Sequence, residues 1–460
     1  MISVSLKTLA SITNGKLYGK KDLFINEIVI DTKKIIPGCL FIALIGRNFD
    51  AHIFIQDAIK KGCSAIMTQK NIKYHISYIC VKNTSLALGQ IAAWIRKKTN
   101  AKILAITGSC GKTTVKEMTA SILRKYGNTI STIGNLNNNI GVPITLLQLN
   151  QSHKYGVIEL GANKLGEIAY ISKISQPEII LINNIQYSHL QGFKSLLGVS
   201  QAKSEIFSGL KSNGIVIINL DSHHLSKWKK KIHNHHILYF SIKKKKNSNF
   251  FSSHININIY GTSFIMHTPN GEINISLPFL GYQNVSNALA ASALSFALKI
   301  PLKIIKLGLS DTPIISKRLE SIILSSNKIL IDDTYNSNVA SMITAIKVLE
   351  KMPGYKILVI GDMSELGEKS LLYHRMIGNA ANLSQINKIL SIGNISYEVT
   401  KIFRNGKHFL DKQDLNKYLK NFFLQKIKIT ILIKGSRNTK MEEVVENLIQ
   451  ESKKNVNFLK

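Results

Sequence analysis

A strand that runs straight into a glycine-flanked lysine constrains this chain more than any other feature. Residues 103–107 form an apolar run of strand length, and Gly108-Ser109-Cys110-Gly111-Lys112-Thr113-Thr114 follows without a break. Met118 and Ile122 then continue at helical spacing. Glycines at such a corner let backbone N–H groups close around phosphate oxygens. The helix that starts there adds its free N–H groups and its dipole. Lys112 is placed to reach the β- and γ-phosphates of a nucleotide, and Thr113 to bind Mg²⁺. The residue five before Gly111 is Ile106, so the loop departs from the common GxxxxGK[ST] spacing.

A loop of this kind belongs at the carboxyl edge of a parallel sheet, and the chain around it reads that way. Apolar runs at 103–107, 155–160, 178–183 and 214–220 alternate with helical stretches. Before them, residues 1–84 read as a small α/β domain, with a helix over 6–12 stopped at Gly15. Residues 85–312 read as the nucleotide-binding domain. They carry an antiparallel hairpin over 250–276, turned at Pro269-Asn270-Gly271, and an alanine-rich helix over 284–298. Residues 313–460 repeat the alternation with strands at 328–331, 356–360, 388–392 and 428–433, a Rossmann-like third domain. At 460 residues two or three cores are expected.

The net charge of +33 invites a nucleic-acid reading. Only seven of the 60 basic residues are Arg, and the Lys are spread along the whole chain. That distribution points to compositional bias rather than a built binding face, so no specific nucleic-acid partner is expected. The densest basic run, 243–246, reads as a solvated loop. No apolar run approaches the length of a membrane span, and the four cysteines show no paired spacing. The expectation is a cytoplasmic protein, not inserted in a membrane, acting as a monomer.

With only 27 acidic residues, the place of each carboxylate is informative. Glu159 closes the 155–160 run, where a carboxylate can hold Mg²⁺ beside a phosphate loop. His189 follows the 178–183 run. A loop histidine is ordinarily just solvated, and its reading as a metal-site residue rests on its strand neighbouring that of Glu159. Lys203 lies in a short helix, where the residue alone reads as a cation on a solvated face.

As a set these residues resemble the Mur ligase family over nearly the whole chain. The Thr-Gly-x-x-Gly-Lys-Thr form, here Thr107 to Thr113, is shared by Mur ligases and folylpolyglutamate synthetases. The resemblance implies ATP and Mg²⁺ as cofactors, with Gly108, Ser109, Cys110, Gly111, Lys112, Thr113, Thr114, Asn287, Arg318 and Asp333 around the nucleotide. It implies catalytic roles for Lys112, Glu159, His189, Lys203 and Arg318, and metal contacts from Thr113, Glu159 and His189. In this family the lysine at the place of Lys203 can carry a carbamate, which turns a cation into a metal-binding anion; that reading and the solvated-face reading both stand. Substrate contacts are implied for Asp31, Thr32, Lys33, Asn135, Asn137, Asn138, Asn336, Lys434, Ser436 and Arg437.

Four stretches resemble the branch of the family that adds D-alanyl-D-alanine: 31–43, 132–143, 361–367 with His374, and 434–437. The Asp-Asn-Pro-Arg box of the diaminopimelate-adding branch is absent. The implied substrates are UDP-muramoyl tripeptide and D-alanyl-D-alanine. The sequence departs from the family pattern at Lys33 for Arg, Gln283 for His, Lys317 for Gly and Val339 for Pro. A Lys in place of Arg keeps the charge and loses the two-pronged fork. The rival readings are another ligase of the same superfamily and, from a different class, a phosphate-loop NTPase working with nucleic acid.

Overall fold

The computed structural model describes residues 1–46, 48–188, 190–223, 225–425 and 427–457. It has a three-domain α/β architecture. By their contacts the residues form two compact units. The first is Met1–Thr107, Tyr126–Leu181 and Glu205–Val216; the second is Gly108–Lys125, Ile182–Ser204 and Ile217–Lys460.

The N-terminal sheet has five strands in the order Lys16–Tyr18, Ser77–Cys80, Ala65–Thr68, Cys39–Ile42, Glu27–Val29. All its pairings are parallel except the first, at the edge. Cys39 and Phe41 alternate into a core with Ile55, Ala58 and Ile66. Burial pushes the Cys63 thiol up to about 12, and all four cysteines are free thiols. The first helix, Leu6–Thr13, starts on Ser5, whose hydroxyl accepts the Thr8 N–H. It stops at Asn14, one residue before Gly15, because Asn tolerates the left-handed conformation that ends a helix (φ 49°).

The central sheet runs His236–Phe240, Ile215–Asn219, Ile179–Ile182, Lys102–Thr107, Tyr155–Glu159, Thr129–Ser131. This order corrects one expectation. The strand before His189 does not adjoin the Glu159 strand; Lys102–Thr107, which feeds the phosphate loop, lies between them. Strand lengths and spacings carry no information on which side of the first strand each crossover lands. The expected hairpin is a three-stranded antiparallel meander, Phe251–Asn258, Gly261–Thr268 and Gly271–Leu277. Its additional turn is set by the Asn258 side chain, which accepts the Tyr260 N–H, and needs no Pro-Asn-Gly signal.

The C-terminal sheet has the order Glu320–Ser325, Lys328–Asp333, Ile429–Lys434, Tyr355–Gly361, Lys388–Ile392, Gly406–Phe409. Its edge pair is antiparallel and the rest are parallel. Helix Val339–Glu350 begins in a capping box formed by Asn338 and Ser341. Among the described residues no helix is long and apolar enough to cross a membrane.

In the first unit, Arg96 near the end of helix Thr84–Lys97 is buried. It donates to the carbonyls of Ser175 and Gln176, at the end of helix Glu167–Ser175, and to the Glu178 carboxylate. A cation there meets the negative end of the helix dipole and carbonyls that no helical N–H reaches. Replacing Arg96 by Met strands these acceptors. The expected loss is about 3 kcal/mol of stability, read as a lower thermal midpoint, with turnover at saturating substrate little changed.

Candidate functional site

In the second unit the phosphate loop is held by carboxamides. The Cys110 N–H donates to Asn184 Oδ1 at 2.8 Å, and the Cys110 carbonyl accepts from Asn183 Nδ2 at 2.9 Å and Asn184 Nδ2 at 3.0 Å. Ser109 exchanges hydrogen bonds with the Gln186 backbone. Gly111 has φ +79°, and a Cβ there would lie 2.4 Å from Asn287 Oδ1 and 2.7 Å from Asn183 Nδ2. The glycine is therefore required by both conformation and close approach. Asn183 and Asn184 were not singled out in the sequence. The available signal is two carboxamides at the carboxyl end of a continuous apolar strand.

Helix Lys112–Arg124 starts at the loop. The Lys112 ammonium folds back to the Gly108 carbonyl at 2.9 Å, across the loop it serves. Thr114 is buried behind it. Arg318 donates from Nη2 to the Thr113 hydroxyl at 3.1 Å, and its guanidinium stacks on Tyr335, 4.0 Å from the ring centre. The structure thus joins Lys112, Thr113 and Arg318, and adds Tyr335 as the plate that fixes the arginine. A cavity of about 370 Å³ opens in the same unit, lined by Gln186, Tyr187, Tyr282, Gln283 and Val339 among others. Two of the departures from the family pattern, Gln283 and Val339, are on its wall.

Asp333 and Lys434 are register partners on adjacent parallel strands. Their side chains form a 2.6 Å ion pair, and Lys434 is 2% exposed. The ammonium also donates to the Asn336 carbonyl, and Asp333 accepts the Leu319 N–H. Burial pushes the Asp333 carboxyl up, against the pull of Lys434. These residues therefore tie the turn after Arg318 to the strand ends. The Asn336 side chain is exposed. The Ser436 hydroxyl accepts the Ser364 N–H at 2.8 Å and donates to the Ser337 carbonyl. The Arg437 side chain is 60% exposed and pairs with Glu442.

Lys203 is 1% exposed, with its ammonium 5.6 Å from the Phe193 ring centre. This overturns the solvated-face reading: helix Leu196–Ser204 turns this position inward. His189 lies outside the described residues. Among the described residues no three His, Cys, Asp or Glu side chains gather as a metal cluster.

In the first unit Glu159 is 2% exposed. Its Oε1 accepts from Asn137 Nδ2 at 2.7 Å, and its Oε2 is buried with no hydrogen-bond partner. A buried carboxylate oxygen without a donor is costly and fits a cation. Gly161 lets Asn137 approach, since a Cβ there would lie 2.6 Å from Asn137 Oδ1. Asn138 accepts the N–H groups of Ile140 and Gly141 at the start of helix Gly141–Leu147. The Asn135 side chain is exposed. Asp31 caps the short turn Thr32–Lys34 through the Lys33 N–H at 2.9 Å, which leaves the Lys33 side chain exposed.

The buried imidazole of His374 accepts the Met363 N–H at Nε2 and makes its other bond to the Ser370 carbonyl. It is a neutral ring that pins the 361–367 turn, and burial pushes its pKa down.

Comparison with known proteins matches two regions of the chain. The Mur ligase middle domain matches residues 106–295, and the Mur ligase glutamate ligase domain matches residues 317–452. A UDP-N-acetylmuramoyl-tripeptide–D-alanyl-D-alanine ligase of Buchnera aphidicola subsp. Acyrthosiphon pisum is 79% identical, over 99% of this chain and 100% of its own. The enzyme of that name from Escherichia coli is 46% identical over 97% and 99%. A crystal structure of MurF from Acinetobacter baumannii superposes with a TM-score of 0.93 at 35% identity, covering 98% of this chain and 99% of that one.

Two outcomes follow from the geometry. Gly111→Ala is expected to cost about 1–2 kcal/mol of stability and to lower turnover on the order of a hundredfold, measured by thermal melting and phosphate release. Because the folded pKa of His374 is depressed, its contribution is fully present above the ordinary histidine range. As pH falls through that range the unfolded chain takes up the proton first, so stability declines. Melting from about pH 8 to about pH 5.5 should show a drop that His374→Gln flattens.

Proposed function

This chain belongs to the Mur ligase family, and from that premise we infer how its residues divide the work. It is an ATP-dependent ligase that joins D-alanyl-D-alanine to UDP-N-acetylmuramoyl-tripeptide, forming a C–N bond in the synthesis of peptidoglycan precursors. The observation that carries this reading is the braced phosphate loop, with Lys112 folded across it and Arg318 on Thr113.

A free carboxylate has no leaving group, so an amine cannot displace its oxygen. The γ-phosphoryl group of ATP is first transferred to the terminal carboxylate of the tripeptide, giving an acyl phosphate and ADP. That transfer needs alignment and charge neutralisation more than covalent help. In the proposal Lys112 and the loop N–H groups hold the β- and γ-phosphates. Arg318, stiffened by Tyr335, neutralises charge that builds during transfer. Asn287 and the cavity beside Gln283 take the adenine end, and Asp333 supports the Arg318 turn from behind. In the second unit Thr113, His189 and, if carbamoylated, Lys203 would contact Mg²⁺; in the first, the unpartnered oxygen of Glu159 offers a cation contact. When bound the metal supplies Lewis-acid polarisation of the phosphoryl oxygens. Buried Lys203 fits a group whose charge is altered or compensated rather than a solvated cation.

The amine of D-alanyl-D-alanine then attacks the acyl carbon, and the tetrahedral intermediate expels phosphate. An α-amino group titrates at about 7.7–8, so a useful share is neutral without a strong base. The proposed division of labour gives residues 1–84, with Asp31, Thr32 and Lys33, the UDP end. Residues 85–312 take ATP, with Asn135, Asn137 and Asn138 toward the tripeptide. Residues 313–460 take the dipeptide through Asn336, Ser436 and Arg437, with Lys434 shaping that turn.

The test is phosphate release with ATP, Mg²⁺, UDP-muramoyl tripeptide and D-alanyl-D-alanine, each omitted in turn. Lys112→Ala is expected to lower kcat on the order of 10²–10³-fold with folding intact. Undiminished ligation in that variant, or equal acceptance of single amino acids, would defeat the reading.

A further inference from the structure

Arg437 and Lys317 converge on one carboxylate, Glu442, and Lys317 also lies within electrostatic reach of Asp332. The Glu442 Oε1 receives Arg437 Nη1 at 2.6 Å and Lys317 Nζ at 3.3 Å. Two cations thus share a single carboxylate oxygen, and the other oxygen is buried without a partner. The neighbouring Glu443 pairs with Lys412, and Glu320 accepts the Lys317 N–H. Exposure is graded: the side chain of Glu442 is 12% exposed, Lys317 29% and Arg437 60%. The guanidinium is the member that faces solvent, and only its Nη1 is engaged among the described residues.

Lys317 is held in this arrangement against its own conformational preference. Its φ is +64°, a left-handed value that disfavours a side chain. Its N–H and carbonyl are pinned by Glu320 and by the Tyr335 N–H. The backbone at 317 is shaped for glycine, yet it carries an ammonium that reaches Glu442.

We propose that Glu442 holds Arg437 in reserve and releases it to the free carboxylate of the incoming dipeptide, with Lys317 remaining as the counter-ion of Glu442. Glu442 and Lys317 are positioning residues, and the inference rests on the reading of Arg437 as a dipeptide contact. A planar guanidinium can exchange one carboxylate for another at little cost in geometry. The exchange is favourable only if the carboxylate left behind stays neutralised, because a buried unpaired charge is expensive. Lys317 supplies that neutralisation. Without it, Glu442 depends on Arg437 alone and competes with substrate.

The test is steady-state kinetics of the full-length enzyme with D-alanyl-D-alanine varied at saturating ATP, Mg²⁺ and UDP-muramoyl tripeptide. Lys317→Gln is expected to raise KM for the dipeptide about five- to tenfold, with KM for ATP and kcat unchanged. In a Glu442→Gln background the same substitution should have no further effect, because the competing anion is gone. With D-alanyl-D-alaninamide, which lacks the carboxylate, Lys317→Gln and the parent should share one KM. An unchanged KM for the dipeptide in Lys317→Gln, or an equal rise in both backgrounds or with the amide, overturns the proposal. Arg437→Ala separates the underlying reading: if KM for the dipeptide does not rise there, Arg437 is not the contact.

Discussion

One peptide carbonyl, that of Cys110, sets the direction of the phosphate loop. Two carboxamides, Asn183 and Asn184, draw it to the protein side. A carbonyl turned the other way would present negative charge to a polyphosphate. With it held back, the amides that follow are free to face an anion, and the helix from Lys112 starts in the right place. Gly111 makes this possible, since its left-handed backbone and its contact with Asn287 leave no space for a side chain. Asn287 in turn rests on Asn284. The Cys110 carbonyl is thus held by neutral amides rather than by charged side chains.

The carboxyl edge of the C-terminal sheet follows the same principle with charges. Asp333 and Lys434 end adjacent strands in register. Their ion pair anchors the segment that carries Arg318, and Tyr335, two residues beyond Asp333, stacks on the guanidinium. Residues that a sequence reading assigns to substrate are divided by the structure into two layers. Lys434 is buried with Asp333 and shapes the turn, whereas Arg437 and Asn336 reach solvent.

Much of this was legible in residue order. The strand–loop–helix at 102–124, the carboxylate at the end of Tyr155–Glu159 and the alternating third domain are local patterns, set by periodicity and turn chemistry. What could not be read was non-local. Nothing in the spacing shows that Lys102–Thr107 lies between the strands preceding His189 and ending at Glu159. Lys203 reads as surface because its neighbours are polar, and only packing against Phe193 reveals it as buried. Asn183 and Asn184 were hidden by an Asn-rich composition. The short strands Thr129–Ser131 and Gly406–Phe409 carry too few residues to show a period.

The strand order of the last sheet bears on how the chain is made. Ile429–Lys434, the last strand to be synthesised, lies in the interior of the sheet, between Lys328–Asp333 and Tyr355–Gly361. On the ribosome Lys328–Asp333 and Tyr355–Gly361 each keep one edge unpaired until residue 434 has emerged. The sheet behind Arg318 and Arg437 therefore joins its two halves only when this strand arrives.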